Sequence, residues 1–137
     1  MVLVCVTDQE TCSRLIYTGR ELADLENIPL KVICVRPRKT ARWLASDEVE
    51  FLFNLSKQLG AEMVIIFHDS AVEAVADYIH HHDTHYVLVG SPPQPGQSIF
   101  ISEIEENFPD IPVITVDQHG TLQRVPDLDP DQETWPA

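Results

Sequence analysis

No apolar run in this 137-residue chain approaches the roughly 18 residues that a membrane span needs. Cysteine is scarce as well: there are 3, with no Cys-x-x-Cys pair and no Cys-x5-Arg loop, so a disulfide framework and a phosphatase loop of that kind are excluded. Cations are outnumbered, 9 Lys and Arg against 22 Asp and Glu, for a formal net charge of -13. Such a surface argues against nucleic-acid binding, because neutralising phosphates requires cations. With 5 glycines in all, the loop Thr7-Asp8-Gln9-Glu10-Thr11 has none where a dinucleotide fingerprint would need Gly-x-Gly-x-x-Gly. A P-loop lysine motif and a Gly-x-Ser-x-Gly elbow are also missing. A receiver domain would want acids after the first strand, Asp after the third and Lys after the fifth. Asp8 and Asp69 match two of these, but Asp117-Gln118 supplies no lysine. No catalytic residue is therefore assigned. Met1 leads straight into an apolar run without a charged leader, so a cytoplasmic chain is expected.

Five short, β-branched apolar runs punctuate the chain: Val2-Leu3-Val4-Cys5-Val6, Leu30-Lys31-Val32-Ile33-Cys34-Val35, Met63-Val64-Ile65-Ile66-Phe67, Tyr86-Val87-Leu88-Val89 and Val113-Ile114-Thr115-Val116. Near-continuous runs suit strands buried on both faces of a parallel sheet, and the intervening stretches can each hold a crossover helix. The pattern predicts an α/β, doubly wound domain that binds ligands at the carboxyl ends of its strands. Function is therefore expected after Val6, Val35, Phe67, Val89 and Val116.

Helices are predicted over about Thr11 to Leu25, with Leu15, Ile16, Leu22, Ala23 and Leu25 inward, and over about Ser46 to Leu59, with Val49, Leu52, Phe53 and Leu59 inward and Gly60 as the stop. A third helix is opened by Ser70-Ala71-Val72-Glu73, which fits a capping box. A fourth starts near Ser98 or Ser102 and ends by Phe108. From Asp117 the apolar pattern is lost. Residues 1–117 are read as the domain, and 118–137 as an acidic, proline-punctuated tail expected to be loosely held and dispensable for folding.

Several groups invite chemistry. Arg36, Arg38, Lys39 and Arg42 cluster just after the second strand, either to meet an anionic partner or to neutralise nearby carboxylates. His80, His81, His82 and His85 are crowded, but His85 falls outside the helical spacing and histidines at a helix C-terminus favour its dipole, so no metal site is assigned. Cys12 should sit in a first helical turn, where the dipole can lower a thiol pKa, while Cys5 and Cys34 read as small hydrophobes. The loop Gly90-Ser91-Pro92-Pro93-Gln94-Pro95-Gly96-Gln97-Ser98 reads equally as an anion cradle or as a stiff connection.

The order of elements, the opening Val2-Leu-Val-Cys-Val-Thr-Asp-Gln-Glu-Thr-Cys-Ser-Arg-Leu-Ile, the entry Ala-Asp-Leu-Glu-Asn-Ile-Pro-Leu-Lys-Val-Ile-Cys-Val into the second strand, and Tyr86-Val-Leu-Val-Gly-Ser followed by Ile111-Pro-Val-Ile-Thr-Val resemble a universal stress protein domain, most nearly that of potassium-sensing histidine kinases. The resemblance spans roughly residues 2 to 117. It implies a five-stranded sheet of order 3-2-1-4-5, a cytoplasmic and often dimeric protein, and candidate ligands among ATP, AMP and cyclic di-AMP. Carried over by position, and with Arg36 from the basic cluster, the implied binding residues are Thr7, Asp8, Val35, Arg36, Gly90, Ser91, Gly96, Gln97 and Ser98. The ATP-binding branch carries Gly-x2-Gly-x9-Gly-Ser/Thr after the fourth strand. Here Gly90 matches the first glycine, but Pro93 and Glu103 stand near the second and third, and Thr7 replaces the usual Asp. The expected role is a small stress-response or regulatory protein without the family's ordinary ATP binding. The alternatives are an enzyme of the adenine-nucleotide hydrolase-like superfamily or a ligand-free interaction module for a transporter or sensor kinase. A homodimer through the fifth strand, at the sheet edge, is also expected.

Overall fold

The structure, a computed structural model, describes residues 1–6, 12–40, 47–91, 99–117 and 119–125. Five parallel strands alternate with four helices: β1 (Val2–Val6), α1 (Ser13–Glu26), β2 (Leu30–Arg36), α2 (Asp47–Gln58), β3 (Glu62–Phe67), α3 (Ala71–His81), β4 (Tyr86–Gly90), α4 (Ile99–Asn107) and β5 (Val113–Val116). A 3-10 turn, Arg38–Thr40, follows β2, and a sixth strand, β6 (Leu122–Val125), follows β5. The sheet order is β3-β2-β1-β4-β5-β6. Its parallel part has the expected order 3-2-1-4-5, and β6 adds an antiparallel pair, Val116 opposite Leu122 and Val113 opposite Val125.

The strands alternate their side chains between two cores. Val2, Val4, Val6, Val32, Cys34 and Leu88 pack beneath α1 and α2, with Ile16 and Leu52 fully buried among them. Leu3, Ile33, Val87, Val89 and Val113 pack beneath α3 and α4, with Val75, Ile79 and Ile104. Each fully buried aliphatic side chain contributes about 1.5–3 kcal/mol relative to exposure. α1 packs tightly on the sheet at Gly19, where a Cβ would sit 2.5 Å from a Val4 methyl.

Local chemistry sets the helix ends. Asn27 takes the left-handed conformation (φ 56°), and Ile28 N–H donates to the Ala23 carbonyl, closing α1. Gly60 (φ 71°) ends α2, and the Arg20 guanidinium of α1 donates to the Leu59 carbonyl at 2.9 Å, tying the two helices together. At α3, Ser70 Oγ accepts from Glu73 N–H, as a cap should. The other half of the capping box is filled differently: Ser70 N–H donates to His68 Nδ1 at 2.9 Å. That leaves His68 Nε2 facing the Glu73 carboxylate at 3.7 Å.

Three expectations are corrected. Leu25 is 85% exposed and Phe53 45% exposed, so neither belongs to a buried stripe. The inward stripes are Leu15, Ile16, Gly19 and Ala23 on α1 and Val49, Leu52, Leu55 and Ser56 on α2. Leu25 lies two residues beyond Ala23, about 200° around the helix. The third concerns the sheet edge. β5 is not terminal, because β6 occupies its outer side, and the expected edge-to-edge dimer through β5 lacks a free ladder while β6 is in place.

Candidate functional site

The carboxyl ends of β1, β2, β4 and β5 open into a cleft of about 1330 Å³. Its position follows from topology. β1 leads through α1 towards β2, while β4 leads through α4 away to β5, so the helices diverge between β1 and β4 and leave a crevice. The lining residues come from both faces of the sheet. Cys5, Ile33, Val35, Val75, Val89 and Phe100 belong to the α3/α4 core. Cys12, Leu15, Val6 and Val116 belong to the α1/α2 core. The cleft is thus bipartite, with one lobe above each core. Gly90 lies on the same face of β4 as Leu88, on the α1 side, and a Cβ there would touch Leu15 at 3.9 Å.

Of the residues expected at the site, Val35, Gly90 and Ser91 line the cleft. Ser91 N–H is held by the Val116 carbonyl at 3.0 Å, which carries the β4–β5 ladder up to the rim. Arg36 is not among the described lining residues. Its carbonyl accepts from His68 N–H, and two residues on Arg38 N–H donates to Asp69 Oδ1 at 3.1 Å, so this basic turn is fastened to the end of β3. Thr7, Asp8, Gly96, Gln97 and Ser98, with Pro93 and Arg42, lie outside the described residues.

Other lining residues were missed from sequence. Arg14, Tyr17, Thr18 and Glu21 form one wall. Their spacing of three, four and seven puts them on a single helix face, beside the buried stripe. Asp117, His119 and Gly120 of the β5–β6 turn form another. Burial pushes the Cys5 thiol up to about 12, so it stays protonated and unreactive at neutral pH. Cys12 is the N-cap of α1 and makes no side-chain capping bond. The histidines of α3 close its end: His81 and His82 Nδ1 each donate to the carbonyl four residues back, at 2.8 Å, and His82 stacks on Tyr78. Among the described residues no group of three or more His, Cys, Asp or Glu side chains could hold a metal, and no helix is long and apolar enough to cross a membrane.

Asp117 builds the turn that borders the cleft. Its Oδ1 accepts from His119 N–H and Thr121 N–H, both at 2.8 Å, while Gly120 (φ 82°) reverses the chain. The Thr121 bond foremost, with that of His119, holds this carboxyl below the ordinary carboxylate range. A depressed folded pKa means that the turn is fully stabilised above the ordinary carboxylate pKa and loses that support as pH falls through the lower, folded value. Protection of the His119 and Thr121 amides, taken as exchange relative to the intrinsic rate at each pH, is therefore expected to fall in acid. Asp117→Ala should show low protection at all pH values, whereas Asp117→Asn, which keeps an accepting oxygen, should stay protected and lose the acid dependence.

No family model and no curated protein matches the sequence. Solved structures do match the fold. The universal stress protein from Archaeoglobus fulgidus aligns with a TM-score of 0.60 at 14% identity, over 82% of this chain and 89% of that one. The universal stress protein of the same organism in complex with dAMP gives 0.52 at 15% identity, over 75% and 86%. N,N'-diacetylchitobiose deacetylase from Pyrococcus horikoshii gives 0.52 at 10% identity, over 79% of this chain and 49% of that one. The chain has the universal stress protein fold, as its segment pattern led one to expect.

Proposed function

We propose, from the universal stress protein fold and the bipartite cleft, that this chain is a small cytoplasmic regulatory protein of the stress-response type, with no catalysis of its own. On this reading it works by holding an adenine nucleotide of the monophosphate class. The observation that carries the reading is the cleft at the divergence of β1 and β4, in a fold shared with a protein solved with dAMP. The preference for one phosphate over three rests on charge and backbone. Among the described lining residues Arg14 is the single Arg or Lys, set against the carboxylates of Glu21 and Asp117. Pro93, where the ATP-binding pattern has glycine, offers no N–H to a phosphate.

Melting curves and calorimetry with AMP, Mg-ATP and cyclic di-AMP test this. AMP at 100 times its dissociation constant is expected to add about 2.7 kcal/mol of stability, a rise of roughly 8–10 °C for a domain of this size. Mg-ATP should bind more weakly than AMP. Micromolar affinity for Mg-ATP with none for AMP would overturn the monophosphate assignment, and silence with all three would favour a ligand-free interaction module.

A further inference from the structure

The α1 lobe of the cleft carries more recognition chemistry than a packing surface needs. Tyr17 is 51% exposed although it is a large aromatic on a helix that buries its apolar stripe well. Its ring borders the cleft together with Arg14 one turn before and Glu21 one turn after. Arg14 and Glu21 are seven residues apart on one face, a separation of about 10 Å along the axis. Neither is ion-paired among the described residues. Opposite Arg14 lies the β5–β6 turn: a Cβ on Gly120 would lie 3.9 Å from Arg14 Cδ, and Asp117 and His119 of the same turn also line the cleft. An aromatic face flanked at one end by a donor fork and at the other by an acceptor matches a flat heterocycle that carries an anion and an amino group. The α3/α4 lobe differs in kind, since Cys5, Ile33, Val35, Val75 and Val89 give it an apolar floor.

We propose that the α1 lobe is a ring-binding subsite, in which Tyr17 stacks on an amino-bearing nitrogen heterocycle, Glu21 accepts from its exocyclic amino group and Arg14 takes the anionic group. This rests on the proposed nucleotide binding and adds where the base lies and which bases are chosen. A base without an exocyclic amino group leaves Glu21 unpaired and binds more weakly.

Calorimetry with AMP and with purine riboside 5'-monophosphate, which lacks the 6-amino group, tests the subsite. Tyr17→Ala is expected to weaken AMP binding about tenfold through lost stacking, and Tyr17→Phe to restore it. Purine riboside monophosphate should bind the unmodified chain about tenfold more weakly than AMP and should bind Glu21→Ala as well as AMP does, because the two changes remove the same contact. Tyr17 and Glu21 are both exposed, so neither substitution threatens the fold. AMP binding unchanged in Tyr17→Ala and Glu21→Ala would overturn the subsite while leaving the nucleotide reading intact. No AMP binding by the unmodified chain would overturn both.

Discussion

Gly19→Ala is expected to destabilise the protein by about 1–3 kcal/mol, the ordinary cost of an extra methyl group in a close-packed contact. For a domain of this size that lowers the melting temperature by roughly 3–10 °C. The sign is informative, because alanine in a helix interior should by itself gain about 0.5–1 kcal/mol over glycine. The local preference is opposed by the sheet: a Cβ at this position would stand 2.5 Å from Val4 Cγ2 and 2.9 Å from Leu30 Cδ1. Both neighbours are buried strand residues, so neither can swing away, and the helix must lift instead. Val4→Ala removes the nearer methyl. Combined with Gly19→Ala it should destabilise by about 1 kcal/mol less than the sum of the two single changes. Chemical denaturation of the four chains checks this, and a stabilised Gly19→Ala would show that α1 does not rest on β1 as closely as described. Gly19 lies between Tyr17 and Glu21, so the same substitution also displaces the cleft wall.

The parallel sheet was legible in sequence because its strands are buried on both faces, which turns each into an apolar run. Val2–Val6 and Val113–Val116 match the expected runs residue for residue. Helix faces were harder. A stripe read from apolar residues alone admits Leu25 and Phe53, which lie off the buried arc, and omits Gly19, whose value lies in the absence of a side chain. β6 was hidden for a physical reason. It is a short edge strand, held on one side through its backbone ladder to β5, and such a strand needs no apolar run. Its signal was in the turn, where Asp117 and Gly120 bracket a reversal.

The site divides in the same way. Val35, Gly90 and Ser91 were legible because the ends of parallel strands are where such folds bind ligands. The α1 wall was not, because Arg14, Tyr17, Thr18 and Glu21 read as an ordinary solvated helix face until the cleft is seen beside them. His68 is a further case. A lone loop histidine looks solvated, yet its Nδ1 takes the N–H that the expected capping box reserved for Glu73.

The segment after 117 reads from sequence as dispensable, but β6 lies within it. A chain ending at Asp117 is therefore expected to melt lower and to self-associate, while a chain ending at Val125 should do neither. The difference isolates β6. Its four cross-strand pairs with β5, at about 0.2–1 kcal/mol each, amount to roughly 1–4 kcal/mol, or about 3–15 °C. Removing them also uncovers the outer ladder of β5, whose Val113-Ile114-Thr115-Val116 sequence favours strand pairing. Unpaired N–H and carbonyl groups along an apolar edge template association. Two such edges related by a twofold axis satisfy each other in one isologous contact. The turn adds a mechanism for control. Asp117 holds His119 and Thr121 by its carboxylate, so acid should loosen β6 and move the full chain towards the behaviour of the truncated one. Light scattering and melting curves on the two shortened chains decide the matter. If the chain ending at Asp117 remains monomeric and melts with the full-length protein, β6 neither stabilises the sheet nor guards its edge.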